Sequence, residues 1–137
     1  MPWTYNYSPT LQIVEVFYVG RTTAYDLKES TSELIALEKE KGVNRFLIDT
    51  SEMEFVASMI DILDLPEKQY IEEEADRSGR IALIMPTSLR TKEAVEFYET
   101  ACKNRGWNVQ TFLEREEAVR WLTDDKSSNK TDSGDGS

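Results

Sequence analysis

The stretch Arg45-Phe46-Leu47-Ile48-Asp49-Thr50-Ser51 runs three large apolar residues together and turns polar at Asp49. An apolar run this short, bounded by turn residues, predicts a strand covered on both faces, here from about Asn44 to Asp49. Arg80-Ile81-Ala82-Leu83-Ile84-Met85-Pro86 repeats the pattern, with proline as the stop. Between residues 24 and 41 the period changes. Leu27, Thr31, Leu34, Ile35 and Glu38 recur at three- and four-residue steps, opposite Lys28, Glu29, Glu33, Lys39 and Glu40. That spacing predicts an amphipathic helix, capped by Thr22 or Thr23 and stopped by Gly42.

The remaining elements follow from the same reading. Trp3, Tyr5 and Tyr7 alternate with Thr4 and Asn6, and Leu11 to Tyr18 resumes after the Ser8-Pro9-Thr10 turn. Two strands in an antiparallel hairpin are expected, with Gly20 ending the second. Phe55, Val56, Met59, Ile60, Leu63 and Leu65 form an apolar stripe that leads into a helix interrupted at Pro66. An acidic helix is expected over residues 69–77, then a break at Ser78-Gly79. Thr87 or Ser88 caps a helix whose inner stripe is Ala94, Phe97, Tyr98, Ala101, Cys102 and Arg105. Gly106 ends it. Residues 107–112 alternate as a half-buried strand, and a final helix spans 114–122 with Ala118, Trp121 and Leu122 inward. The fold class is therefore α/β: a mixed β-sheet that opens with an antiparallel hairpin and continues as repeated β-α units, with helices packed on the sheet.

Composition narrows the function classes. With 137 residues the chain is sized for one domain. Residues 1–122 carry the elements, and residues 123–137 hold no large apolar side chain and are expected to be a disordered polar tail. The net charge of −10 argues against nucleic acid and anionic membranes as partners. No apolar run approaches the roughly 20 residues of a transmembrane helix, and the N-terminus lacks a signal-peptide pattern. One cysteine, Cys102, excludes an internal disulfide and fits a reducing, cytoplasmic setting. The sequence has no histidine, which removes the usual general base and the commonest metal ligand. No metal site and no cofactor are expected, and any enzyme would be confined to carboxylate or lysine chemistry. Glu72-Glu73-Glu74 lacks the spacing of a calcium loop and reads as a solvated helix face.

The element order resembles the STAS domain and, more closely, the SpoIIAA-like proteins, which are distantly similar to CRAL-TRIO lipid-binding domains. Four segments carry the likeness: Phe17 to Thr23, a strand with a Gly-bearing turn; Phe46-Leu47-Ile48-Asp49, the central strand; Arg80 to Ile84; and Phe112 to Leu122, the closing strand and helix. The resemblance implies a non-enzymatic regulatory or binding module. It also implies a serine near the start of the helix after the central strand that a kinase phosphorylates. Ser58 falls at that place, with Ala57 where the pattern has aspartate and no glycine after it.

The candidate site lies near the end of the central strand. Asp49, Phe55, Ser58, Met59 and Leu63 are the expected contacts to a partner protein or a small apolar ligand, and Ser58 is the possible phosphoacceptor. Each has a plainer use: Asp49 as a cap on Ser51, Ser58 as a helix cap, and the apolar residues as the core side of a helix. A lipid or hydrophobic-ligand carrier is the alternative drawn from the CRAL-TRIO likeness. A homodimer through the Phe55-to-Tyr70 face is a further possibility.

Overall fold

A computed structural model describes residues 2–124; Met1 and residues 125–137, most of the expected tail, lie outside the described residues. Five strands form one sheet in the order β1-β2-β3-β4-β5. Strands β1 (Trp3–Ser8) and β2 (Ile13–Thr22) make the antiparallel hairpin. Strands β3 (Arg45–Phe55), β4 (Arg80–Ile84) and β5 (Asn108–Phe112) each pair in parallel with the preceding strand. Parallel neighbours need crossovers, and helices supply them. Helix α1 (Ala24–Lys41) links β2 to β3, and α4 (Leu89–Lys103) links β4 to β5. Between β3 and β4 lie α2 (Met59–Asp64), a π-helical turn (Leu65–Gln69) and a single last turn, α3 (Tyr70–Glu72). Helix α5 (Arg115–Thr123) closes the fold.

Helix α1 begins and ends where its sequence signals stand. Thr23 Oγ1 accepts the Asp26 N–H while the Asp26 carboxylate accepts the Thr23 N–H, a reciprocal capping box. Gly42 ends the helix with φ of 65°, a conformation that glycine adopts without strain.

The sheet separates two cores. Leu34 and Leu37 of α1 and Ala94 of α4 pack with Val14, Val16 and Phe46 on one face, and Val95 and Cys102 pack there with Leu83 and Val109. Among the described residues, helix α5 alone serves the opposite face, where Ala118 and Leu122 meet Ile13, Leu47, Ala82 and Ile84. Both cores explain why β3 and β4 are apolar without alternation. Arg115, at the start of α5, makes a two-pronged ion pair with Glu15 of β2 at 2.8 Å. Arg80 donates to the carbonyls of Trp121 and Asp124 and so holds the end of α5.

Three expected boundaries move. Strand β2 does not stop at Gly20, which sits within it at φ 82°, but runs to Thr22, paired with Phe55. Pro66 does not break its helix. It has no N–H to return to Ile62, and the backbone widens into a π turn, with Leu65 O taken by the Tyr70 N–H five residues on. The acidic helix stops at Glu72 rather than continuing to Arg77.

Candidate functional site

The largest correction concerns Asp49. Strand β3 does not end there but continues for six more residues. The β2–β3 register advances two residues on β2, from Phe17 to Val19, and three on β3, from Asp49 to Glu52. The extra residue is a β-bulge at Thr50-Ser51. Asp49 Oδ1 closes it, accepting the Ser51 N–H at 2.9 Å and the Ser51 hydroxyl at 2.6 Å. Thr50 Oγ1 donates to the last carbonyl of β4, Ile84 O, at 2.6 Å. Beyond that point β3 has no β4 beside it, and α4 takes over the pairing. Thr91 Oγ1 accepts the Phe55 N–H at 3.1 Å and donates to Met53 O at 3.2 Å. Thr91 is almost fully buried, so these bonds satisfy backbone groups that water does not reach.

The five expected contacts do not share one place. Alternation along β3 puts Phe46 and Ile48 toward α1 and α4, and Leu47 and Asp49 toward α5. Asp49 therefore faces away from the helix side, close enough to Arg115 to act on its charge. Phe55 is buried on the helix side. Ser58 caps α2: its Oγ accepts the Asp61 N–H at 3.2 Å and donates to Asp61 Oδ2 at 2.9 Å, and its own N–H reaches the same carboxylate. Met59 is exposed at the first position of α2, and Leu63 is half-buried one turn on. The apolar stripe from Phe55 to Tyr70 divides accordingly. Phe55, Ile62, Leu65, Pro66 and Tyr70 turn inward, while Met59 and Ile60 face solvent.

Phe55 borders a feature that the site residues do not mark. Between the sheet and helices α1, α2 and α4 lies a cavity of about 140 Å³. Its apolar wall includes Leu34, Phe46, Ile48, Met53, Ile62 and Ala94. Tyr18, Tyr70, Tyr98 and Trp107 supply aromatic surface. Tyr18 donates or accepts a hydrogen bond with Ser30, and Tyr70 and Tyr98 join hydroxyl to hydroxyl. Burial pushes the Tyr18 phenol up to about 12, so it stays neutral. Glu38 and Asp76 also line the cavity. Burial raises the Glu38 carboxyl above its usual range against the pull of the Asp76 N–H, and hydrogen bonds from Ser78 hold Asp76 low. The alternation of Phe46 with Ile48 is the sequence signal that these two residues share a face; nothing in the sequence marks the void between them and the helices.

The strands β2 to β5 all point to the end of the sheet where α1, α2, α4 and α5 begin, with β2 and β3 reaching beyond β4 and β5. Tyr25, Met59, Ile60, Leu89 and Leu113 lie near the starts of these helices, and all five are exposed. Among the described residues no cluster of three or more cysteine, aspartate or glutamate side chains is arranged to hold a metal, and no helix is long and apolar enough to cross a membrane.

Solved structures share this architecture. The antiparallel first pair, the run of parallel strands β2 to β5 and the helices between them make a SpoIIAA-like α/β fold. The chain is similar to the anti-sigma factor antagonist SpoIIAA in its unphosphorylated form, with 16% identity and a TM-score of 0.53, over 88% of this chain and 96% of that one. The Bacillus cell fate determinant SpoIIAA in its phosphorylated form matches at 17% identity and 0.53, over 88% and 98%. An uncharacterized DUF3478 protein with a SpoIIAA-like fold from Shewanella loihica matches at 19% and 0.55, over 88% and 93%. No protein-family model and no curated protein sequence matches the chain.

Proposed function

We propose that the protein is a non-enzymatic binding module of the regulatory kind, which holds a protein partner at the rim beyond the end of β3. One observation carries this: Met59 and Ile60 are 41% and 70% exposed beside the exposed Ser58. Two neighbouring apolar side chains presented to water at a helix start suit a partner better than they suit the monomer. Tyr25, Leu89 and Leu113 at the same end extend the candidate surface. The fold supports the reading, since one structural neighbour is an anti-sigma factor antagonist and another is a SpoIIAA in phosphorylated form. Phosphate on Ser58 would replace a donor to Asp61 with a dianion facing that carboxylate, and so would alter the rim where Met59 begins.

Site-specific photo-crosslinking tests it. A crosslinker at position 60 captures a discrete partner in the source cell, Met59→Asp weakens the capture, and a crosslinker at position 40, at the far end of α1, does not take the same partner. Identical captures from positions 60 and 40 would sink the idea.

A second reading, a small apolar ligand, is favoured by the cavity beside Phe55. Its volume of about 140 Å³ lies below the roughly 300–1,000 Å³ of drug-sized ligand pockets. A whole lipid, as in the carrier alternative, would require the helices to move apart.

A further inference from the structure

We propose that the cavity beneath α1 and α4 binds a small uncharged molecule built on one ring and bearing one hydrogen-bond acceptor, which takes the Trp107 Nε1–H. The inference rests on the small-ligand reading above and supplies its chemistry.

Size sets the ring. A cavity of about 140 Å³ is close to the roughly 150 Å³ apolar void known to take benzene. The wall residues Leu34, Phe46, Ile48, Met53 and Phe55 offer such a ring only apolar contact. Polarity sets the acceptor. Most hydrogen-bonding side chains at the lining are engaged: Tyr18 with Ser30, Tyr70 with Tyr98, and Thr50 with Ile84 O. Trp107 differs. Its indole lines the cavity and is 94% buried, with 6% exposure, yet Nε1 finds no acceptor among the described residues. Buried indole donors ordinarily have a partner. The ring itself is fixed, with Arg77 stacked 4.1 Å from its centroid and Tyr70 edge-on at 5.3 Å. A fixed, buried donor with no protein acceptor, at an apolar cavity, selects for an acceptor on an otherwise apolar molecule. Charge sets neutrality. Glu38 and Asp76 line the same space together with Arg80, whose guanidinium is held by the Trp121 and Asp124 carbonyls, so an anion there meets like charge, and the mainly apolar wall strips water from any charged ligand without repaying it.

Acetophenone and ethylbenzene are nearly isosteric and differ in the carbonyl oxygen, which makes them the probes. Each is titrated into the full-length ¹⁵N-labelled chain and followed by two-dimensional NMR. Acetophenone is expected to bind roughly tenfold more tightly, the value of one buried neutral hydrogen bond, and to move the Trp107 indole resonance downfield. In Trp107→Phe the preference falls to near unity while ethylbenzene still binds. Ala94→Leu, which fills the cavity from α4, weakens both ligands. Equal affinity of the two probes for the native chain overturns the acceptor assignment and leaves an apolar site. Absence of shifts with either probe overturns this proposal together with the small-ligand reading, and the partner-binding rim stands apart from both results.

Discussion

Asp49 and Ser51 form a closed clasp: one carboxylate oxygen takes both the backbone N–H and the side-chain hydroxyl of the residue two places on. The clasp holds the bulge that joins the first five residues of β3, Arg45 to Asp49, to the rest of the strand. Asp49→Ala removes the acceptor from both groups and is expected to lower stability by about 1–3 kcal/mol. Urea denaturation measures that loss. Probe binding in the cavity, on the opposite face of the sheet, should hold its affinity.

Thr91 joins α4 to the overhanging end of β3. Thr91→Val keeps the shape but leaves the Phe55 N–H and Met53 O without their partner, at a cost of about 1–3 kcal/mol. Thr91→Ser restores the hydroxyl and should recover most of it. Hydrogen exchange gives a local readout: the Phe55 amide exchanges faster in the valine variant and near the native rate in the serine variant.

Ser58 has two separable roles. As the cap of α2 it is worth about 1 kcal/mol, the usual loss on replacing a capping serine with alanine. As the proposed switch at the rim it acts on a partner instead. Ser58→Asn retains a side-chain cap without a hydroxyl that a kinase can modify. Thermal melting should rank serine and asparagine together above alanine, whereas crosslinking from position 60 should respond to phosphorylation of the native chain and not of the asparagine variant.

Glu38 makes stability depend on acidity in a defined sense. Burial raises its folded-state pKa above the ordinary 4.5, so the folded chain holds this proton more tightly than the unfolded chain does. Its contribution is present below the unfolded value and is lost as pH rises through the folded one. Glu38→Gln keeps an oxygen for the Asp76 N–H and cannot ionise. The variant should melt at a higher temperature than the native chain at pH 7, and the difference should shrink toward pH 4.

Cys102 is fully buried on α4, and burial pushes its thiol up to about 12. Thiolate is the reactive form, so the folded chain should resist a disulfide-exchange reagent at pH 8. Reaction should become fast in denaturing urea. Rapid labelling of the native chain would mean that α4 opens readily.

Helix α1 was legible in the sequence because local groups set both its ends: Thr23 and Asp26 cap it, and Gly42 stops it. The parallel order was legible because helices alternate with apolar strands. Asp49 misled for a physical reason. A bulge inverts the polarity pattern just where a strand would seem to stop, and its partner Thr91 lies 36 residues from Phe55. Pro66 misled similarly, since a π turn absorbs the missing N–H that would break an α-helix. Of the candidate residues, Ser58 and Met59 stand together at the rim, Phe55 reaches the cavity, Leu63 is half-buried on α2, and Asp49 faces α5. The cavity itself was not legible. A void is what the sheet and the helices leave between them, and no short motif encodes it.

Arg80 stands at the first position of β4 and grips the carbonyl of Asp124, so the described chain leaves the fold at the start of the parallel strands. The exposed apolar rim lies at their finish. A surface anchor joined directly at Asp124 is thus rooted at the pole remote from Met59 and Ile60. Held at that point, the folded part presents its candidate docking face outward, which makes attachment at Asp124 the natural geometry for fishing for a partner.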